Sequence, residues 1–425
     1  MSYAIESRGF SKQRSRVEMP ESLEAKNFDL TTFISILLLT AGGLVAIYSA
    51  TFAAENAQRF NQQLYFALGG VAIMLAVGFI PVRWLSAMTW PFYAVGLGAL
   101  VYVLLFGTEV YGQKNWISFG RFQFQPSELA KLATIMAVAK YLNADRDMTR
   151  IGTLVMVMML ILVPTGLILL EPDPGTSVIF LGLTMVILLW SGVDLFLLFA
   201  VVAPAITAVV SLFGRTPMML GVFISGLLQF FVFRKSIIVT ALAFAIVIGA
   251  AFSTNVVYDS LKPYQKNRIQ VLLDPELDPL GAGYNVIQTR MAIGSGGLTG
   301  KGYLEGTQTQ LRYVPKQWTD FIISVPAEEF GFIGSAIFVL IYAFVIFRGV
   351  AIASSVRSKF SSILAIGITG IWFLHITINI GMTLGLLPVV GIPLPFMSYG
   401  GSALFTNLLM AGILMNLYRN RRILF

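Results

Sequence analysis

The sequence predicts an all-α, polytopic integral membrane protein of about ten to twelve transmembrane helices with a large extracytoplasmic loop. Three observations carry that prediction. The 425 residues are 56% hydrophobic and only 12% charged, where a soluble domain carries roughly 25% charged residues. The apolar runs approach the roughly 20 residues needed to cross a hydrocarbon core of about 30 Å. The basic residues, which leave a net charge of +8, fall in short segments between those runs. That is the positive-inside pattern of membrane proteins rather than a nucleic-acid surface.

The chain opens on a mixed-charge tail, residues 1–29, with no apolar core for a cleavable signal, and it reads as cytoplasmic. Apolar runs then predict spans at 30–51, 63–80, 87–106, 127–142, 152–170, 176–190, 195–213, 219–233, 236–253, 330–347, 361–384 and 402–418. Pro91, Pro164 and Pro204 lie inside spans, where neighbouring helices can re-satisfy the backbone. With the N-terminus inside, Arg83, Arg146, Arg150, Arg234, Lys235, Arg348, Arg357, Lys359, Arg419, Arg421 and Arg422 all fall on the cytoplasmic side. The same count puts 107–126, 171–175, 388–401 and the long polar loop 254–320 outside. Residues 30–425 read as one membrane domain, without a fixed-period repeat.

Composition closes several chemistries. There is no cysteine, hence no disulfide, thiolate metal site or cysteine nucleophile, and the single histidine, His375, excludes a multi-histidine metal site.

Four polar constellations share the outer face. In Gln125-Pro126-Ser127-Glu128, proline and serine signal a helix start with an acid in its first turn. Glu128 and Lys131 then share one helix face at i and i+3, either as an ion pair easing two charges into the bilayer or as the wall of a polar cavity. Glu171-Pro172-Asp173-Pro174-Gly175 forms a tight turn with two carboxylates, Asp173 either capping the next helix or lining a cavity. The long loop holds Asp274, Glu276 and Asp278 on a proline-broken backbone. Arg290, the glycine cluster 294–297, Lys301, Gln308 and Asp320 follow, and glycine-rich backbone with nearby Lys and Arg can cradle an anionic phosphate. The fourth constellation, Gly381 to Ser402, is irregular backbone at the membrane edge and includes Ser398. His375 and Asn379 precede it at i and i+4, and His375 reads as a packing contact.

These motifs, in this order, closely resemble the SEDS (shape, elongation, division, sporulation) family. The resemblance rests on Asp278-Pro279-Leu280-Gly281-Ala282-Gly283-Tyr284, the runs 294–302, 306–311 and 393–402, and the earlier segments 125–131 and 171–176. The wording of 300–311 is similar to the elongation branch rather than the division branch. Two departures stand out: Trp318 precedes Thr319-Asp320-Phe321 where the family usually has histidine, and 219–253 looks like an added helical pair.

The resemblance implies a peptidoglycan glycosyltransferase polymerising lipid II at the outer face of the bacterial cytoplasmic membrane, both termini cytoplasmic. It would work with a class B penicillin-binding protein and the elongation machinery. It implies Asp278 as catalytic base, with Glu128, Lys131, Asp173, Arg290, Lys301, Gln308, Asp320 and Ser398 as candidate substrate-binding residues. No cofactor is implied with certainty; a divalent cation, Mg2+ or Mn2+, is an alternative partner for the diphosphate. The competing readings are a lipid II flippase, a division-specific polymerase and a scaffold for the transpeptidase.

Overall fold

The computed structural model describes residues 28–52, 57–110, 113–119, 122–144, 146, 148, 150–212, 214–233, 235–260, 266 and 283–422. Its elements are α1 (Leu30–Phe52), α2 (Ala57–Gly78), α3 (Val82–Ala87), α4 (Thr89–Phe106), β1 (Thr108–Val110), β2 (Gln113–Phe119), β3 (Phe122–Phe124), α5 (Pro126–Leu142), α6 (Ile151–Leu170), α7 (Pro174–Trp190), α8 (Leu195–Ser211) and α9 (Arg215–Leu227). A π-helical turn (Leu228–Phe233) continues α9, followed by α10 (Ile237–Ser260), α11 (Tyr284–Ser295), α12 (Thr307–Gln310), α13 (Ser324–Glu329), α14 (Gly331–Ser355), α15 (Lys359–Thr383) and α16 (Gly401–Arg419).

Every predicted span falls on a helix. Among the described residues nine helices are long and apolar enough to cross a membrane, and α7 and α8 are shorter apolar helices. The chain is a multi-pass membrane protein. The centre of the bundle is set by α15 and α16, whose apolar windows are 67% and 72% buried, against 17–39% for the other seven. Around them, the outward faces of the remaining helices carry the residues that meet lipid, such as Leu105, Leu170 and Phe347.

Close approach is built from small residues, as expected where lipid is as apolar as the partner helix. Along α2 and α16, a Cβ on Gly412 would lie 2.4 Å from the Met74 carbonyl oxygen. Helix α1 meets the segment before α16 just as closely, since a Cβ on Gly43 would lie 2.5 Å from Met397 Cα. At the far end of the bundle Asp29 accepts from Arg348 at 3.0 Å, tying the start of α1 to α14. The Arg348 guanidinium also lies 4.5 Å from the Tyr418 ring on α16.

The structure departs from the sequence reading in two places. Residues 107–126 are not simply a loop: β1, β2 and β3 form an antiparallel meander, with Thr108 opposite Trp116 and Ile117 opposite Phe124. Three-residue outer strands are too short for period-two alternation to be read from the sequence. The polar loop also begins later and ends more ordered than expected: α10 runs on to Ser260, and α11, α12 and α13 occupy much of 284–329.

Substituting Gly412 by alanine is expected to destabilise the protein by about 1–3 kcal/mol through forced separation of α2 and α16. Gly98→Ala in α4 meets nothing within 4 Å and is expected to be neutral or slightly stabilising. Thermal unfolding in detergent distinguishes the two.

Candidate functional site

The polar groups singled out in the sequence collect at one end of the bundle, where α5, α7 and α16 begin and α6 and α15 finish. The segment 384–400 crosses the middle of this end without regular structure. Its backbone is met by side chains from all sides. Asn379 donates to the Ile392 carbonyl at 2.7 Å and to the Asp320 carbonyl at 2.8 Å. Tyr342 on α14 donates to Pro395 O. Ser398 donates to Thr319 O at 2.6 Å and accepts from Leu394 N at 2.8 Å, so this predicted site residue clasps the segment to the chain beside Asp320.

Glu128 and Lys131 form an ion pair of 2.9 Å on α5, with both side chains almost fully buried. The sequence reading missed its third member. Lys131 Nζ also lies 2.9 Å from His375 Nε2, and His375 Nδ1 lies 3.1 Å from the Pro393 carbonyl. A carbonyl oxygen only accepts, so Nδ1 carries the proton and Nε2 accepts from the ammonium. His375 is therefore the bridge between the α5 pair and the irregular segment, more than a packing contact. Its spacing from Lys131, 244 residues, gives no local signal.

Asp173 caps α7: it accepts from Thr176 N at 3.0 Å and Thr176 Oγ1 at 2.8 Å, with Pro174 in the first turn. It also accepts from Gln125 at 3.1 Å and from Asn115 on β2 at 3.3 Å. The cap thus ties α7, α5 and the small sheet together. Its neighbour Glu171 is fully buried, and among the described residues neither carboxylate oxygen has a hydrogen-bond partner. Burial, and then the nearby Asp173 charge, push its pKa up to about 8.

The second half of the polar loop is organised by two acids absent from the predicted set, Glu328 and Glu329. Glu328 accepts from Lys301 Nζ at 2.8 Å, from Gln308 N and Thr309 N at 2.8 Å, and from Thr309 Oγ1 at 2.7 Å. Burial alone would raise its pKa, but the bonds from Lys301 and Thr309 prevail and hold it below the ordinary range. Glu329 pairs with Ser49 of α1 and accepts from Leu304 N at 3.2 Å, and burial raises its pKa. Two adjacent acids just before an apolar helix were the available signal. Two glycines here serve packing, because a Cβ on Gly296 would lie 2.0 Å from Ala327 O and one on Gly300 2.1 Å from Glu329 O, whereas Gly294 and Gly297 meet nothing within 4 Å.

The remaining predicted residues divide. Asp320 is half-buried beside Gly391, and burial, opposed by Lys316, raises its pKa. Arg290 is exposed on α11 next to Gly385. Gln308 contributes its backbone N–H, while its side-chain Oε1 is buried without a partner among the described residues. Asp278, with Asp274 and Glu276, lies outside the described residues. Among the described residues no three of His, Asp and Glu come together as a metal-binding group.

A family model described as "Cell cycle protein", covering FtsW, RodA and SpoVE, matches residues 29–223 and 215–423. The chain belongs to the FtsW/RodA/SpoVE family. The family's members include peptidoglycan glycosyltransferase RodA of Treponema pallidum, 34% identical over 426 residues that cover 92% of this chain and 97% of the relative. Peptidoglycan glycosyltransferase MrdB of Escherichia coli is 34% identical over 398 residues, 94% of this chain and 95% of the relative. Among solved structures, a chain from a peptidoglycan synthase complex that coordinates polymerization and crosslinking superposes with a TM-score of 0.71 at 27% identity, covering 93% of this chain and 98% of that one. The SEDS resemblance read from the motifs is therefore family membership over nearly the whole chain, and the polar end described above belongs to a SEDS fold.

Two outcomes test the site's electrostatics. Lys131→Met strands a buried carboxylate and is expected to cost about 3–5 kcal/mol, while the double change Glu128→Gln with Lys131→Met costs less; denaturation of the three proteins measures it. Glu171 has a folded pKa raised to about 8, so the folded state holds a proton that the unfolded chain releases at lower pH. Stability therefore falls as pH rises from the ordinary carboxylate range through that value. Glu171→Gln is expected to raise Tm at about pH 8 and much less at about pH 5. Equal shifts at both would mean that Glu171 is already ionised.

Proposed function

We propose that this SEDS-family peptidoglycan glycosyltransferase polymerises lipid II into β-1,4 glycan strands during cell elongation, releasing undecaprenyl diphosphate. The observation that carries the reading is family membership across the chain, joined to the collection of Glu128, Lys131, Asp173, Asp320, Ser398 and Arg290 at one end of the bundle. The reading puts that end on the outer face, supported by the basic residues Arg348, Arg357, Lys359, Arg419 and Arg421 at the opposite end, where the positive-inside rule favours the cytoplasm.

In the proposed reaction the 4-hydroxyl of a GlcNAc attacks the anomeric carbon of a MurNAc. The new C–O bond forms as the bond from that carbon to the diphosphate oxygen breaks, inverting α to β. Asp278 accepts the hydroxyl proton, a step worth roughly 10²–10⁴-fold, and the electron pair leaves on undecaprenyl diphosphate. Cationic donors stabilise that leaving group. Lys301 is engaged by Glu328, so it acts as the tie that shapes the 301–309 segment, and Arg290 is the candidate at the rim. Asp320, half-buried beside Gly391 with its pKa raised by burial, is placed to hydrogen-bond a sugar hydroxyl.

A class B penicillin-binding protein is the proposed partner, supported by the synthase complex that this fold resembles. The flippase alternative draws on the polar groups Glu128, Lys131 and Asp173, but the Glu128–Lys131 pair is buried against His375 and Asp173 is engaged as the cap of α7.

With purified full-length protein and lipid II, Asp278→Asn is expected to reduce strand synthesis by at least about 10²-fold while the fold and partner binding persist. Undiminished synthesis would remove Asp278 from the reaction. Translocation of lipid II in liposomes without polymerisation would favour the flippase. Depletion is expected to round the cells; filaments would assign the chain to division.

A further inference from the structure

The first turns of α2 present Arg59, Gln62 and Gln63, spaced i, i+3 and i+4, to the polar end of the bundle. The two glutamines are consumed in holding the 398–400 backbone and its tyrosine. Gln63 Nε2 donates to Ser398 O at 3.1 Å and its Oε1 accepts from Gly400 N at 3.1 Å, while Gln62 Oε1 accepts from the Tyr399 hydroxyl at 2.7 Å. Arg59 does something different. Its guanidinium carbon lies 3.9 Å from the ring centroid of Trp318, the position at which this chain departs from the family's histidine. No carboxylate pairs with it among the described residues.

The placement has consequences for chemistry. Trp318 is fastened at this spot, because its carbonyl accepts from Tyr399 N at 2.8 Å and its neighbour Thr319 accepts from Ser398. Two residues further on is Asp320. A guanidinium on an indole face gains a cation–π attraction, yet that face offers no acceptor to the five in-plane N–H donors. Among the described residues, Lys131 is engaged by Glu128 and His375, Lys301 by Glu328, and Arg290 lies at the exposed rim. Arg59 is thus a half-buried fork of donors held on the Trp318 ring, whose backbone is fastened to Tyr399. Bidentate Arg–phosphate pairing is the interaction such a fork is shaped for.

We propose that Arg59, seated on Trp318, binds the diphosphate of the polyprenyl-linked substrate or product. The proposal rests on the lipid II reading above and adds a residue to it. Histidine at 318 would offer a smaller aromatic face, so the Trp318–Arg59 couple is this chain's own way of holding the cation in place.

The test uses the full-length protein in nanodiscs with two probes, undecaprenyl diphosphate and the uncharged undecaprenol. Arg59→Met, which keeps the apolar stem on the indole but removes the charge, is expected to weaken undecaprenyl diphosphate binding about tenfold and leave undecaprenol binding unchanged. Arg59→Lys should fall between the parent and Arg59→Met. In the polymerisation assay the Met variant should raise the half-saturating lipid II concentration more than it lowers kcat. Unchanged diphosphate affinity in Arg59→Met overturns the proposal. So does an equal loss for both probes, which would mean a purely structural clamp. If Arg59→Met does not fold, the Arg59→Lys and Arg59→Gln pair gives the same charged-against-neutral comparison. A parent protein that binds the diphosphate through Arg59 but makes no glycan would refute the lipid II polymerase reading and leave this site standing.

Discussion

The constraint on which this structure depends is the satisfaction of an irregular backbone inside a membrane bundle. Residues 384–400 carry carbonyls and N–H groups into a region where unpaired polar groups cost several kcal/mol each. The bundle answers with intramembrane polar side chains: Asn379 and His375 from α15, Tyr342 from α14, and Gln63 from α2. These residues look out of place in apolar helices until the segment they serve is seen. Once it is held, α5, α7 and the chain around Asp320 have a fixed surface to pack on.

Buried charge is handled by the same economy. Glu128 and Lys131 neutralise one another, and His375 takes a further ammonium proton as an acceptor. Glu328 draws five donors from the 301–309 segment and thereby gives that segment its shape. Asp173 uses both oxygens as a cap and a junction. Charges so engaged organise a site more than they react in it. Among the described residues Glu171 is the exception, buried with neither carboxylate oxygen bonded, and in the proposed reaction the roles fall instead to Asp278, Asp320 and Arg290. Removing a partner from any engaged pair would expose the cost of desolvation, which is why such pairs tolerate little change.

Much of the fold was legible. Helix after helix begins and ends near the boundaries that apolar runs set, because lipid imposes length and hydropathy directly on sequence. Local chemistry at helix starts was legible too: Pro126 and Glu128 in the first turn of α5, and Asp173 capping α7 before Pro174, act within four residues. The small sheet was not legible, since its outer strands are too short for alternation to emerge. Nor was the ordering of 284–329, because its anchors, Glu328 and Glu329, hold groups as distant as Ser295, 33 residues away, and Ser49, 280 residues away.

The sequence by itself determined the membrane class, the number of crossings within a narrow range, the family, and the segments that would be polar. It did so because hydropathy, turn residues and motif order are local properties of the chain. Only the tertiary structure decided which of the polar residues are partners. Lys301 belongs to Glu328, Lys131 is shared with His375, and Arg59 lies on Trp318, pairings that span 27, 244 and 259 positions respectively. Separations of that size leave no periodic trace, and they exist only because helices from distant parts of the chain meet at one end of the bundle.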